Sequence, residues 1–171
     1  MSRQIHSWKR ISLVEDDVTL PNKKIISHTT IVHPGAAVIL PITDNGEVVL
    51  INQYRPSLRK WLLELPAGTI EENESAVECA KRELKEETGI NAESFKSIGQ
   101  VTPMAGFCDE IQHLFVASAL SSPAQLECDE DEVIEVVTMS LNKIEQLIVE
   151  DKITDAKTIA CISKAKLLGY I

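Results

Sequence analysis

The sequence contains no long apolar run, whereas a helix that crosses a membrane needs about 20 consecutive apolar residues. Its first ten residues also lack the apolar stretch that follows the basic segment of a secretory signal. We therefore expect a protein that does not associate with membranes and that is located in the cytoplasm.

Cysteine pairs that would indicate a disulfide framework or a zinc site are missing as well. No CxxC motif is present, and no histidine is spaced to complete a zinc site. The four cysteines lie far apart in the chain, at Cys79, Cys108, Cys128 and Cys161. We expect reduced thiols, most of them buried.

Positive charge is in short supply. The chain has 17 lysines and arginines against 26 acidic residues, and its formal net charge is −9. Such a protein repels phosphate backbones, so we expect no sequence-independent binding of nucleic acid. A small anionic substrate is compatible with this charge if a cation lies between the substrate and the protein.

No repeat, low-complexity tract or Pro/Gly/Ser-rich linker divides the 171 residues, and 44% of them are hydrophobic. This length and composition predict a single domain over residues 1–171. Short β-branched runs predict strands at residues 11–14, 25–32, 36–42, 48–54, 95–101, 112–119 and 133–139. Helical periodicity covers residues 74–88, 141–150 and 155–168.

The irregular alternation of these elements predicts an α/β (α+β) fold, an α/β/α sandwich with a mixed β-sheet, preceded by an N-terminal segment of strands. Asp44-Asn45-Gly46 predicts a hairpin turn between the third and fourth strands, because Asn-Gly adopts the positive φ angles of tight turns. Gly89 is expected to cap the first helix at its C-terminus.

The helix over residues 74–88 has carboxylates on its apolar side. At about 100° per residue, Glu83 and Glu87 lie in the middle of the apolar arc, and Glu86 lies at its edge. The arc itself is formed by Val77, Cys79, Ala80 and Leu84, whereas Glu78, Lys81 and Lys85 lie on the opposite face. Three carboxylates on a half-buried face repel one another and lose solvation, so they should protonate or bind a cation. A hard divalent ion suits such oxygen ligands, although a solvated surface is the commoner role of acidic residues on a helix.

Residues 68–90 resemble the Nudix box, in which glycine, glutamate and an Arg-Glu-apolar-any-Glu-Glu-any-Gly-apolar run have fixed spacings. The matching residues are Gly68, Glu74, Arg82, Glu83, Leu84, Glu86, Glu87, Gly89 and Ile90. The match has no departure, and a motif of this length is specific.

The resemblance implies a loop-helix-loop unit that binds Mg²⁺, or Mn²⁺, against the pyrophosphate of a substrate. The implied metal ligands are Glu83, Glu87, Glu86 and the backbone carbonyl of Ala67. Arg82 and Glu74 are implied to pair with these ligands and to orient them.

Two segments beside the box resemble the ADP-ribose pyrophosphatase branch of this family. They are Gln53-Tyr54-Arg55 and Glu64-Leu65-Pro66-Ala67-Gly68, and a third, Gly106-Phe107-Cys108-Asp109-Glu110, has cysteine where the branch has serine or threonine. The resemblance implies that Arg55 contacts the substrate phosphates and that Glu110 holds a sugar or the phosphate-binding arginine. Arg59 and Lys60 are further candidates, which solvated loop charges explain equally well.

The same branch takes its general base from a glutamate in a loop before a late strand. The acidic run at residues 127–132 is the one in that place, and Glu130 and Glu132 are the candidates. We favour Glu132 because it directly precedes the predicted strand, and we expect the rest of the run to be a solvated turn.

The N-terminal strands, residues 1–30, are implied to form a homodimer. In relatives this segment crosses to the partner subunit, where Trp8 would stack on adenine. Trp61 is the other indole, and for both we favour a core or interface role over ligand stacking.

These features predict a Nudix pyrophosphohydrolase that acts on a nucleoside diphosphate sugar, first of all on ADP-ribose, to give AMP and ribose 5-phosphate. GDP-mannose or another nucleotide sugar is an alternative substrate, because Arg55 and Glu110 would contact the phosphate and the ribose and would not select the base. A Nudix-like module that binds a nucleotide without cleaving it is a third hypothesis, which the complete set of box carboxylates disfavours.

Overall fold

The N-terminal segment forms a small antiparallel sheet of its own. The structure is a computed structural model that describes residues 3–123 and 133–171. The strands of this sheet are β1 (Arg3–Trp8), β2 (Ile11–Thr19) and β3 (Ile25–Val32), in the order β1-β2-β3. Strand β1 is exposed along its whole length and has few β-branched residues, which explains why the sequence pattern did not predict it.

Two further sheets lie at the centre of the protein. Their strands are β4 (Ala36–Pro41), β5 (Glu47–Arg55), β6 (Lys60–Glu64), β7 (Ala67–Thr69), β8 (Ala92–Val101), β9 (Gln112–Leu120) and β10 (Ile134–Ser140). One sheet has the order β7-β4-β9-β8 and the other the order β10-β5-β6. Strands β4 and β9 run parallel and their other neighbours antiparallel, so the predicted mixed sheet is confirmed.

Helices cover both faces of these sheets. They are α1 (Ala76–Thr88), α2 (Leu141–Val149) and α3 (Ala156–Leu167). Along β4 the side chains alternate: Val38 and Leu40 pack in the core beneath α2 and α3, whereas Ala37 and Ile39 pack with the apolar residues of α1. The predicted α/β/α sandwich is therefore confirmed. None of the helices in the described ranges is long and apolar enough to cross a membrane.

The predicted hairpin between β4 and β5 is wrong beyond its turn. The turn forms, with Gly46 at φ 75° and its N–H donating to the Thr43 carbonyl at 2.9 Å. A single bridge between Ile42 and Val48 joins the two strands at this point. Strand β4 is already paired with β7 and β9 on its two edges, so β5 diverges into the other sheet.

Helix α1 has well-defined ends. Ser75 is its N-cap, and Ser75 and Glu78 form a capping box, so the helix begins at Ala76 rather than at Glu74. Gly89 ends it in the left-handed region at φ 69°, and its N–H donates to the Lys85 carbonyl at 2.8 Å, as predicted.

Three of the cysteines are free and buried, as predicted: Cys79, Cys108 and Cys161. Burial raises the pKa of the Cys79 and Cys161 thiols to about 12, so both remain protonated at neutral pH. Cys128 lies outside the described residues.

Candidate active site

The acidic side of α1 faces inward. Lys81 and Lys85 are exposed, as the helical arc predicts. Glu87 is only 2% exposed, and Glu83 and Glu86 are half-buried. A buried carboxylate is stable only when hydrogen bonds or a cation compensate its charge, so these three glutamates must have such partners nearby.

Gly68 allows the carboxylate of Glu83 to lie against the backbone of β7. A Cβ built on Gly68 would be 1.8 Å from Glu83 Oε1 and 1.9 Å from its Cδ. Any side chain at position 68 would have to displace the Glu83 carboxylate, so glycine is what allows this close approach. On the adjacent residue, the Ala67 N–H donates to Glu87 Oε2 at 2.9 Å. The backbone of residues 67–68 is thus enclosed by two of the α1 carboxylates.

Arg82 lies at the centre of the remaining contacts. Its Nε and Nη2 donate to the two oxygens of Glu74 at 2.8 and 3.0 Å. Its Nη1 donates to Glu83 Oε1 at 2.6 Å and to Glu86 Oε2 at 3.0 Å, and Nη2 also reaches the Thr69 carbonyl at 3.1 Å. The hydrogen bond to Glu74 and the neighbouring carboxylates raise the pKa of Arg82, and the same bond lowers the pKa of Glu74. One guanidinium thus connects three glutamates.

The donor chemistry of this cluster suits a hard divalent ion. Carboxylate oxygens from Glu83, Glu86 and Glu87 are the ligands that Mg²⁺ prefers, and the glycine at position 68 leaves Glu83 room beside the backbone. Within residues 3–123 and 133–171, no three His, Cys, Asp or Glu side chains are already arranged around a common point suited to a metal. Arg82 donates to Glu83 and Glu86, and the Ala67 N–H donates to Glu87.

Arg55 belongs to an ion-pair chain that extends into the protein. Its Nε and Nη2 donate to the two oxygens of Glu64, each at 2.8 Å. The Nζ of Lys157 donates to the same carboxylate and lies 3.1 Å from Asp155 Oδ1. Burial acts to lower the pKa of Arg55, but the bond to Glu64 and the charges of Glu64, Glu87 and Asp155 raise it overall. Arg55 is therefore a permanent cation close to the α1 carboxylates.

A cleft of about 470 Å³ is lined by residues of the Nudix box, by Arg55 and by the turn between β1 and β2. The residues that line it include Trp8, Arg10, Arg55, Gly68, Glu83 and Glu86. Arg10 Nη2 donates to Glu71 Oε1 at 2.8 Å, which holds the β1–β2 turn beside the box. Trp8, implied by resemblance to reach a partner subunit, here lines the cleft of its own chain and is 62% exposed.

The loop over residues 106–110 lies beside strand β3. The Ile31 N–H donates to the Phe107 carbonyl at 2.8 Å, and Asp109 Oδ1 accepts from the His33 N–H at 2.8 Å. Glu110 is 9% exposed and accepts from Gln112 Nε2 at 3.0 Å. In the described part of the chain Glu110 is not among the residues that line the cleft, which Arg55 and Trp8 do line.

Other candidates lie outside the cleft or outside the described ranges. Glu130 and Glu132 belong to residues 124–132, which the structure does not describe. Arg59 and Lys60 are exposed at the β5–β6 turn. Trp61 is 43% exposed and packs edge-on against Tyr54 with ring centroids 5.8 Å apart, so it is not a core residue.

Sequence reasoning missed the ion pair between Glu64 and Lys157. Glu64 and Lys157 are 93 residues apart in the chain, and the pattern of α3 gave Lys157 no distinction from the other helical lysines. The available signal was Glu64 itself, a charged residue at the end of an apolar strand segment, where a carboxylate is seldom buried without a cationic partner.

Comparison with known proteins agrees with this site. The family model described as NUDIX domain matches residues 32–160. The "ADP-ribose pyrophosphatase" of Bacillus subtilis (strain 168) is 39% identical over 165 residues, which cover 96% of this chain and 89% of that protein. The "Methanol dehydrogenase activator" of Bacillus methanolicus is 36% identical over 167 residues, 97% of this chain and 90% of that protein. The "GDP-mannose pyrophosphatase" of Yersinia enterocolitica serotype O:8 / biotype 1B (strain NCTC 13174 / 8081) is 35% identical over 146 residues, 80% of this chain and 75% of that protein.

A solved structure titled "Crystal structure of ADP compounds hydrolase" superimposes with a TM-score of 0.83 and covers 100% of this chain and 95% of its own. Its sequence identity is 23%, so the likeness concerns the fold. The chain belongs to the Nudix family, and the resemblance found in residues 68–90 is confirmed.

Proposed function

We propose that this protein is a metal-dependent Nudix hydrolase that cleaves the diphosphate of a nucleoside diphosphate sugar, with ADP-ribose giving AMP and ribose 5-phosphate. The observation that carries the proposal is the cleft in which the cation Arg55 faces the glycine and carboxylates of the Nudix box. The relatives named ADP-ribose pyrophosphatase and GDP-mannose pyrophosphatase support a nucleotide-sugar substrate.

The residues that would hold Mg²⁺, or Mn²⁺, are Glu83, Glu86, Glu87 and the Ala67 carbonyl. When bound, the ion supplies positive charge that stabilises the phosphates as negative charge develops on the leaving group. Arg82 donates to both Glu83 and Glu86 through its Nη1, which positions these two carboxylates. Glu74 holds Arg82 in turn through two hydrogen bonds, which keeps its guanidinium pointed at the ligands.

Four further residues are proposed to act on the substrate. Arg55 contacts the diphosphate, and Trp8 lies at the cleft where a base could stack. Glu110 holds a sugar hydroxyl or an arginine, and Glu132 accepts the proton of the attacking water, with Glu130 as the alternative. A ligating glutamate has its lone pairs engaged and its pKa lowered by the cation, so the base must come from outside the box.

A substrate panel tests this proposal. Purified protein with Mg²⁺ or with Mn²⁺ is given ADP-ribose, GDP-mannose and other nucleotide sugars, and the released monophosphates are measured with a coupled phosphatase. We expect ADP-ribose to have the highest kcat/KM, with no turnover in EDTA. GDP-mannose as the best substrate would support the alternative, and nucleotide binding without turnover of any panel member would support a non-catalytic module.

We further propose a homodimer that pairs through residues 1–30, in the cytoplasm. The N-terminal sheet exposes large apolar side chains that a partner subunit would cover, among them Ile5, Val18, Ile25 and Ile26. Deletion of residues 1–28 should then yield a monomer that no longer binds ADP-ribose, by light scattering and calorimetry. A full-length protein that is an active monomer at micromolar concentration would contradict this.

A further inference from the structure

The ion-pair chain behind Arg55 is built inside the protein. The side chain of Glu64 is 1% exposed, that of Lys157 is 11% exposed, and that of Arg55 is 34% exposed where it reaches the cleft. A carboxylate so fully removed from water is retained only with close cationic partners. Glu64 has two such partners, one on the cleft side and one on α3.

The charge of this chain bears on what Arg55 can bind. Arg55 and Glu64 alone form a neutral pair, which attracts a diphosphate weakly. Lys157 contacts the same carboxylate, and its Nζ also lies 3.1 Å from Asp155 Oδ1, so the four side chains together carry no net charge. Lys157 therefore acts on Arg55 through position: it holds the Glu64 carboxylate that Arg55 binds.

The geometry of the pair also fixes the direction of the guanidinium. Glu64 accepts hydrogen bonds from Nε and Nη2 of Arg55 in a bidentate ion pair. Two parallel bonds hold the planar guanidinium in one orientation. The Nη1 edge is then directed away from Glu64. Because Arg55 lines the cleft with Gly68 and Glu83, an ordered guanidinium there is ready to meet a phosphate.

Lys157 is itself held in place by the start of α3. Asp155, the N-cap, accepts from the Thr158 N–H at 2.9 Å and from its Oγ1 at 2.6 Å. Thr158 Oγ1 accepts in turn from the Leu65 N–H at 2.8 Å, which ties α3 to the segment that follows Glu64. Lys157 therefore differs from a mobile surface lysine.

We propose that Lys157 and Glu64 are positioning residues for Arg55: Glu64 orients its guanidinium for the diphosphate, and Lys157 holds the Glu64 carboxylate in the place from which it does so. The proposal rests on the function proposed above, because it requires an anionic substrate in the cleft. It assigns a role in substrate binding to α3, which contributes no residue to the Nudix box.

Three lysine variants test the role of Lys157. We expect Lys157→Met to raise KM for ADP-ribose about tenfold, the size of one charge-assisted hydrogen bond, with kcat changed less than about twofold. Lys157→Arg, which keeps the charge, should restore KM to within about threefold of wild type. Lys166→Met is the matched control, since Lys166 lies on the same helix and pairs with Glu145 at the surface. A Lys157→Met enzyme with the wild-type KM, or an arginine variant that rescues nothing, would overturn the proposal.

Glu64→Gln tests orientation against charge, because the two effects have opposite signs. Loss of a negative charge alone would lower KM for an anionic substrate, whereas loss of the fork that orients Arg55 raises it. We expect KM to rise about tenfold or more. A lowered KM would show that Glu64 only reduces the charge of Arg55, and the orienting role would be wrong. If this variant does not fold, the Lys157 variants still decide the proposal.

A measurement without turnover separates failure of this proposal from failure of the proposed function. The ¹⁵N-NMR signal of the Arg55 Nε–H, assigned by its loss in Arg55→Lys, should exchange slowly with water in the wild type. In Glu64→Gln it should exchange much faster. Equal exchange in both proteins would refute the orienting contact even if the enzyme cleaves no nucleotide sugar. Slow wild-type exchange without any turnover would instead place the error in the proposed function.

Discussion

The carboxylate of Glu83 lies so close to the backbone of Gly68 that a Cβ added to the glycine would be 1.8 Å from Glu83 Oε1. Gly68→Ala should therefore push Glu83 out of position while β7 remains paired with β4. We expect kcat to fall by at least about 100-fold, because a displaced Glu83 could not serve as the proposed metal ligand. Displacement of Glu83 also breaks its hydrogen bond from Arg82 Nη1, which should lower the free energy of unfolding by about 1–3 kcal/mol.

Steady-state kinetics and thermal unfolding of Gly68→Ala check this expectation. Gly106→Ala serves as the stability control, since a Cβ there meets nothing within 4 Å. An alanine at position 68 that leaves both kcat and the unfolding temperature unchanged would contradict the close contact.

Removal of single charges from α1 tests the proposed metal ligands. Glu83→Gln and Glu87→Gln should each lower kcat by at least about 100-fold, the order expected when charge stabilisation of a transition state is lost. The fold should survive, because a glutamine at position 87 can still accept the 2.9 Å hydrogen bond from the Ala67 N–H. Circular dichroism and kinetics at saturating Mg²⁺ measure both effects. Glu93→Gln, at an exposed position of β8, is the matched control, and near-normal turnover by folded Glu87→Gln would remove the metal-site argument.

The pH dependence of kcat tests the assignment of the general base. A base acts in its deprotonated form, so kcat falls on the acidic side as the pH drops below its pKa. Glu132→Gln should lower kcat strongly with little change in KM and should remove this acidic limb. Glu130→Gln should have a smaller effect, because Glu132 is nearer to the start of β10 at Ile134. If both variants keep the limb and most of the rate, the base lies elsewhere.

The bond between Arg82 and Glu74 predicts how stability depends on pH. It lowers the pKa of Glu74 in the folded protein. A carboxyl with a lowered folded-state pKa stabilises the protein above its unfolded-state pKa, and that contribution is lost as the pH falls through the folded-state pKa. The free energy of unfolding of the wild type should thus exceed that of Glu74→Gln at neutral pH, with the difference disappearing in acid. Denaturant titrations of both proteins at several pH values measure this, and a difference that is constant with pH would exclude the linkage.

Local sequence rules predicted the elements whose partners are close in the chain. The face of Glu83 and Glu87 and the end of α1 at Gly89 depend on helical geometry and on one left-handed residue, and both were predicted. The separation of β4 and β5 into different sheets was not predicted. It depends on β9, which pairs with β4 although it is about 75 residues away in the chain.

The same reason explains which parts of the site were found. Arg82 and its glutamates lie within two turns of one helix and its preceding loop, so the motif predicted their proximity. Lys157 reaches Glu64 from another helix, and a charged residue on a helix is usually solvated. Trp8 reaches the cleft only because the whole N-terminal sheet folds toward it, which no local pattern encodes.

The guanidinium of Arg82 has a consequence for the order in which the protein is assembled. It offsets one of the three negative charges that it contacts, on Glu74, Glu83 and Glu86, so the chain supplies part of the counter-charge for these glutamates itself. We therefore expect the chain to fold in EDTA, in contrast to small zinc domains that are unfolded without their metal. On this expectation, formation of the fold and activation by a divalent ion are separate events.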